Sequence, residues 1–428
     1  MKVAVIGGGI SGLTAAYNLS KTGADVTVYE SSNELGGLAG SFDFNGVNIE
    51  KYYHFICGAD DALFKLSKEL NLKINWKNTK TAYFVDKELY SFCNILDIFK
   101  FYPISFISKF KYIFNILSSK FTDDWEYYDS ITAEEWLIKA LGKETYNILW
   151  KPLLEIKFGG YYNQISAAWL WHRIYRVLNS RKTIFSKEKM GCFEGGTSSL
   201  INELSNKINY NNGKILLNTQ VVGVLPNKTY CGIITNNSNE IEFYDYVIST
   251  LALPILGNLL PNELGVFKYT LNQVKYLGVV CAIFKLKNKF TDYFWLNIKN
   301  DSIKFNGIIE YSNLNDNVGS IIYIPFYMDI DDNRFFKSDR DIYNEYIQYL
   351  KRINSNFNDN EVLDFQVFRS SFAQPICPVN FSKDYIIPDR IYNSLYITDS
   401  TQLYPMDRCL TGMIELANKT TNDITKGY

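Results

Sequence analysis

A run of glycines set between two hydrophobic periodicities constrains this chain more than any other feature. Val3-Ala4-Val5-Ile6 is a short apolar run, β-branched in part, and reads as a buried strand. Gly7, Gly9 and Gly12 follow at once, and Leu13, Ala16, Tyr17 and Leu19 then recur at helical spacing. Gly23 breaks the helix, and Val26-Thr27-Val28-Tyr29 is a second strand ending at Glu30. Gly7 permits the tight turn, Gly9 lets the backbone approach a pyrophosphate, and Gly12 lets helix and strand pack closely. The helix start at Ile10 and Ser11 offers free N–H groups and a positive dipole end to phosphates. Glu30, 18 residues past Gly12 and followed by Ser31, sits where a carboxylate accepts hydrogen bonds from ribose hydroxyls. The order predicts a dinucleotide-binding βαβ unit, and Glu30 disfavours a 2′-phosphate; the bland alternative is a glycine-rich turn in an unrelated α/β fold.

Gly36 and Gly37, followed by Leu38, Ala39 and Gly40, come directly after the second strand. This pair resembles the segment after the acid in glutathione-reductase-type FAD proteins, particularly the flavin amine oxidase and protoporphyrinogen oxidase group. Gly195-Gly196-Thr197-Ser198-Ser199-Leu200 resembles that group's helix-opening segment, with a strand expected over 215–221. Tyr246-Val247-Ile248-Ser249-Thr250 resembles its crossover strand. Near the C-terminus, Thr398-Asp399 stands where the group usually has Gly-Asp, and Thr411-Gly412-Met413 opens a last helix. The resemblance implies non-covalent FAD, with Leu38 and Ala39 along pyrophosphate and flavin, Val221 contacting adenine through its backbone, and Asp399 holding the ribityl–phosphate portion. The final helix would point its N-terminus at the flavin's pyrimidine edge. Cys409 raises the idea of a covalent flavin, but nothing else supports it.

A narrower resemblance rests on Glu50-Lys51-Tyr52-Tyr53-His54-Phe55, on 149–159, and on Tyr404-Pro405-Met406-Asp407-Arg408. These look like the FAD-dependent amine-oxidase-like proteins of bacterial surface-polysaccharide pathways, which are remotely similar to UDP-galactopyranose mutase.

The implied fold is α/β: a glutathione-reductase-type Rossmann FAD domain threaded through an α+β substrate domain. The FAD domain is expected from 1–57, 190–252 and 390–428. Residues 58–189 carry aromatic-rich helical patterns and read as a helical cap, and 253–389 reads mainly as strands. The 44 basic and 45 acidic side chains nearly cancel, so no global field attracts nucleic acid. The seven widely spaced cysteines suggest reduced thiols in a cytoplasmic setting. With only His54 and His172 available, a structural zinc site is not expected. The stretch 99–117 mixes Phe, Tyr and Ile with Lys100, Lys109 and Lys111 and is too interrupted to span a bilayer. It reads either as two helices, broken at Pro103, capping the cleft, or as a peripheral contact with the inner face of the membrane.

His54 is the leading residue near the flavin, with Tyr53 beside it, as an acid/base near neutral pH or as a packing residue. Arg408 can hold flavin O4 or a diphosphate, or else pair with Asp407. Tyr404, Lys157 and Arg173 are candidate substrate contacts, with Trp171 and His172 weaker ones. Arg173 and Arg176, one turn apart, can bind a phosphate or form a solvated helix face.

The expected function is an FAD-dependent oxidase or dehydrogenase of a small molecule, a nucleotide sugar or lipid-linked sugar. The alternatives are a reduced-flavin sugar-nucleotide mutase and an oxidase or desaturase of an apolar, polyprenyl-type substrate.

Overall fold

A computed structural model describes residues 1–118, 124–179, 189–305 and 307–426. The N-terminal unit is strand β1 (Lys2–Ile6), helix α1 (Ile10–Ser20) and strand β2 (Asp25–Tyr29). They build a six-stranded sheet in the order Lys214–Leu216, β2, β1, Tyr246–Ser249, Leu395–Ile397, Arg390–Ile391. All neighbours are parallel except the last pair.

Both faces of this sheet are covered, which is why its strands are apolar at nearly every position. Val3 and Val5 pack with α1, the Thr197–Tyr210 helix and the C-terminal Leu410–Lys426 helix. Ala4 and Ile6 face the other way, onto the three-stranded meander 221–244 and the Leu253–Leu259 helix. The expected strand over 215–221 divides: Lys214–Leu216 joins this sheet and Val221–Pro226 opens the meander. Asn218 turns between them with a left-handed φ of 51°.

The second sheet has seven strands: Val362–Pro375, Tyr276–Leu286, Ser320–Met328, Gly307–Glu310, Trp295–Lys299, Thr81–Val85 and Glu88–Ser91. Two of these strands come from the stretch read as a helical cap. That stretch also supplies the Ile74–Asn78 strand. Its helix Asp61–Glu69 buries Leu63 and Leu66 in the same core as Val3 and α1. Helical spacing was legible there, but strand pairing with residues 200 positions away was not. Similarly, the strand-rich stretch holds the amphipathic helix Asp339–Ile353, which covers one face of the sheet. The opposite face looks onto Tyr52, Tyr53 and Phe55.

One ion pair ties the two parts together. Asp60, fully buried, receives the backbone N–H of Cys57 at 2.7 Å and pairs with Arg176 of the Ala167–Asn179 helix. Removing one partner of a buried pair leaves the other charge uncompensated, at a cost of about 3–5 kcal/mol. Asp60→Ala is therefore expected to lower unfolding free energy by about that amount in urea titration, and Asp60→Asn, which is also uncharged, by a comparable amount.

Candidate functional site

At the glycine turn, geometry separates folding needs from ligand needs. A Cβ at Gly12 would lie 2.0 Å from the Gly7 carbonyl oxygen, so α1 could not approach β1 with any side chain there. Gly7 has φ 107°, and a Cβ on it would meet Thr250 Oγ1 at 2.4 Å. Thr250 stands behind the turn, donating to the Ile6 carbonyl at 2.9 Å. At Gly9 a Cβ would meet nothing nearer than 4.0 Å, and its φ of −75° suits any residue. The fold does not require glycine at position 9; a ligand passing over the turn does. Beside it, Ser11 Oγ is buried without a hydrogen-bond partner among the described residues.

Glu30 is locked across the mouth of this turn. Its Oε2 accepts from Gly8 N at 2.8 Å, and its Oε1 accepts from Ser32 N at 2.8 Å and Ser31 Oγ at 3.3 Å. Thr219 N donates to the Glu30 carbonyl at 2.9 Å, which brings Val221 alongside. The second glycine pair touches the first: Gly36 N donates to the Gly8 carbonyl at 2.8 Å. Gly36, with φ 109°, and Gly37, with φ 54°, hold a left-handed turn into Leu38 and Ala39. The Ala39 carbonyl accepts from Thr197 Oγ1 at 2.7 Å. Glu50, a buried residue given no role of its own from the sequence, accepts from Thr197 N at 2.9 Å and so caps that helix. Burial pushes its carboxyl pKa up, against the Thr197 hydrogen bonds that lower it.

The C-terminal pieces arrive at the same end of the sheet. Asp399 is buried, and its Oδ1 accepts from Tyr276 OH at 2.8 Å and Thr401 Oγ1 at 2.7 Å. Burial raises its pKa despite those donors. Thr411 Oγ1 accepts from Leu63 N at 3.3 Å. Gly412 lies under Leu403 and Met406, where a Cβ would sit 2.8 Å from Leu403. Met413, half-buried, continues the helix. Together these placements fit FAD: a phosphate cradle at Gly9 and Ser11 and an acid positioned for ribose.

Against the Ser320–Met328 and Val362–Pro375 strands of the second sheet stands a cluster of charges and phenols. Asp407 pairs with Lys157 at 3.3 Å and with Arg173 at 3.5 Å. The alternative Asp407–Arg408 pair is not formed: Arg408 donates to Tyr327 OH at 3.1 Å and Gln374 Oε1 at 3.4 Å. Lys157 Nζ also lies 5.1 Å over the Tyr327 ring. Among the described residues, Lys157, Arg173 and Arg408 oppose only Asp407, leaving a formal excess of two positive charges there (3 − 1). The cations hold the Asp407 carboxyl below its usual range even though burial pushes the other way. Asp407 Oδ1 has no hydrogen-bond partner among the described residues. Tyr327 and Gln374 carried no sequence signal, because each lies in an ordinary alternating strand.

His54 Nδ1 donates to the Tyr52 carbonyl at 2.7 Å, which leaves Nε2 bare as an acceptor. Burial, then the Arg408 charge, hold its pKa down at about 4. Of the two readings of His54, this lowered pKa weighs against an acid/base near neutral pH. Tyr53 packs edge-on against Trp295 at 5.6 Å, its hydroxyl pKa raised by burial and Tyr327 and eased by Arg173 and Arg408.

Other expectations are placed elsewhere. Tyr404 OH is committed to Asp129 and to Ser166 Oγ at 2.6 Å, so it braces the Trp125–Asp129 helix. Arg176 is taken by Asp60, so it does not pair with Arg173 around a phosphate. Trp171 is buried between Tyr128 and Tyr175, a core position rather than a cleft wall. His172 is half-buried, with burial and then Arg176 lowering its pKa. Cys409 is a free thiol, its pKa pushed up to about 11 by burial.

Comparison with known proteins agrees with this geometry. Zeta-carotene desaturase of Capsicum annuum is 40% identical over 76 residues, 18% of this chain and 13% of that protein. Protoporphyrinogen oxidase 2 of Arabidopsis thaliana is 36% identical over 72 residues, 17% of this chain and 14% of that protein. The chain thus matches only a short part of these curated relatives. Cyclohexylamine oxidase from Brevibacterium oxydans shares the fold along the whole length, with a TM-score of 0.77 at 14% identity, covering 100% of this chain and 99% of that one. The model of the flavin containing amine oxidoreductases matches residues 10–377. The chain belongs to that family of FAD-dependent enzymes.

Proposed function

We propose that this chain is an FAD-dependent oxidoreductase whose substrate carries a phosphate or diphosphate, as a sugar nucleotide or other glycoconjugate precursor in surface-polysaccharide synthesis does. The observation that carries this reading is the excess positive charge of Lys157, Arg173 and Arg408 around one carboxylate. The Lys157 side chain is 16% exposed and that of Arg173 41%, so water screens part of the excess charge and a substrate anion would answer the rest. A hydrocarbon substrate would bury those charges and return nothing. The match to zeta-carotene desaturase covers too short a stretch to carry that substrate over.

In this reading FAD is bound non-covalently, its pyrophosphate over Gly7, Gly9, Ile10, Ser11 and Gly12, its ribose at Glu30 and its adenine beside Val221. The bound FAD supplies two-electron chemistry at its ring. Lys157 and Arg173 hold the substrate anion in the geometry Asp407 sets. Tyr327 and Gln374 fix the Arg408 fork. His54 Nε2, Tyr52 and Tyr53 wall the reacting end, exclude water and offer one acceptor that stays unprotonated near pH 7.

Sugar nucleotides mixed anaerobically with the oxidised protein are expected to bleach the flavin band. Turnover seen only after dithionite reduction, with no net change in flavin redox state, would instead make it a mutase. Truncating a partly buried charge partner typically costs about 2 kcal/mol or more. Lys157→Met and Arg173→Met are therefore expected to raise the KM for a diphosphate-bearing substrate about 30-fold while leaving FAD content unchanged. An unchanged KM would remove the anion from this site.

A further inference from the structure

Helix Phe106–Ser118 is built inside out. Its inward face carries Ser108, Lys109 and Tyr112, all buried. Lys109 is only 5% exposed, and its ammonium donates to the Phe99 carbonyl at 2.8 Å. Its outward face carries Phe106, Ile107, Phe110 and Phe114, which are 65%, 70%, 52% and 76% exposed. Leu96 and Tyr102, from the preceding segment, are exposed beside them. Phe99, Phe106 and Phe110 pack ring against ring at 4.9–6.4 Å, so the apolar residues form one continuous patch. Water-facing helices place their charges outward and their aromatics inward; this one does the reverse at its most costly residues.

The charge around the patch has one sign. The exposed ionisable side chains over 95–115 are Lys100 and Lys111, both cationic. Two carboxylates packed on the segment are tied down: Asp97 accepts from Ser91 Oγ and Cys93 N, and Glu144 accepts from Ser105 Oγ and Ser108 Oγ. A second copy of this face would oppose lysine to lysine with no carboxylate in reply. A surface of anionic headgroups over acyl chains answers both the lysines and the aromatics. The helix is 13 residues long, about 20 Å, too short to cross a bilayer but suited to lie along it. No described helix is long and apolar enough to cross.

We propose that residues 95–115 seat the protein on an anionic phospholipid surface, with Phe106, Phe110 and Phe114 inserted at the headgroup boundary and Lys100 and Lys111 on the headgroups. The patch is close to the cleft: Tyr112 packs on Trp150 at 6.4 Å, next to the Lys151–Phe158 helix that carries Lys157.

Flotation of FAD-loaded protein with vesicles of phosphatidylcholine, alone or with about 30% phosphatidylglycerol, tests this. The wild type should float with the mixed vesicles. The triple variant Phe106→Ser, Phe110→Ser, Phe114→Ser should bind roughly 100-fold more weakly. Lys100→Glu with Lys111→Glu should weaken binding roughly tenfold on anionic vesicles only. The proposal fails if the wild type stays at the bottom with both compositions, or if the triple variant floats equally well. It also fails if sedimentation shows a dimer that the triple variant dissolves while neither protein binds lipid.

Discussion

No side chain fits at position 12, where the first turn of α1 meets the end of β1. The 2.0 Å that would separate a Gly12 Cβ from the Gly7 carbonyl oxygen is far inside contact distance. This close approach sets where the first turn of α1 sits above the sheet edge, and the other parts of the site take their places from it. Glu30 hydrogen-bonds to Gly8, Gly36 to Gly8, and Thr219 to Glu30. The segments around residues 8, 36 and 219 are thus tied into one backbone network although they are far apart along the chain. Thr411 extends the assembly to the C-terminal helix through Leu63 N.

The reacting end is organised on a different principle. There, charge rather than steric fit is in excess. Asp407 draws Lys157 and Arg173 together, while Arg408 is held apart on Tyr327 and Gln374. A fully neutralised cluster would be a brace between domains, as Asp60 and Arg176 are. The cluster at Asp407 is incompletely neutralised, and the proposed substrate anion rests on that excess. The Arg408 charge reaches His54 as well, helping to keep that imidazole neutral.

What could be read from the sequence was what local sterics encode. The roles of Gly7 and Gly12 follow from their spacing, because a tight turn and a helix–strand contact need glycine wherever they occur. The family fold followed from several such segments in order. Pairing across the chain was not legible. Arg173 and Arg176 look alike on a helix, but one meets Asp407 and the other Asp60, 347 positions apart (407 − 60). Tyr404 looked like a cleft residue until its hydroxyl was seen on Asp129. The aromatic stretch near residue 106 has the composition of a buried cap, and only burial side by side revealed which face is turned outward.

Gly9 separates the two demands on the glycine turn, because the fold leaves room for a side chain there and a bound pyrophosphate does not. The most direct measurement is therefore the FAD content of purified wild type and Gly9→Val, alongside their urea unfolding curves. A wild type that takes up stoichiometric FAD, and a variant that unfolds normally but carries almost none, is the predicted result. A folded Gly9→Val protein that retains full FAD would contradict the assignment of this turn as the cofactor's cradle.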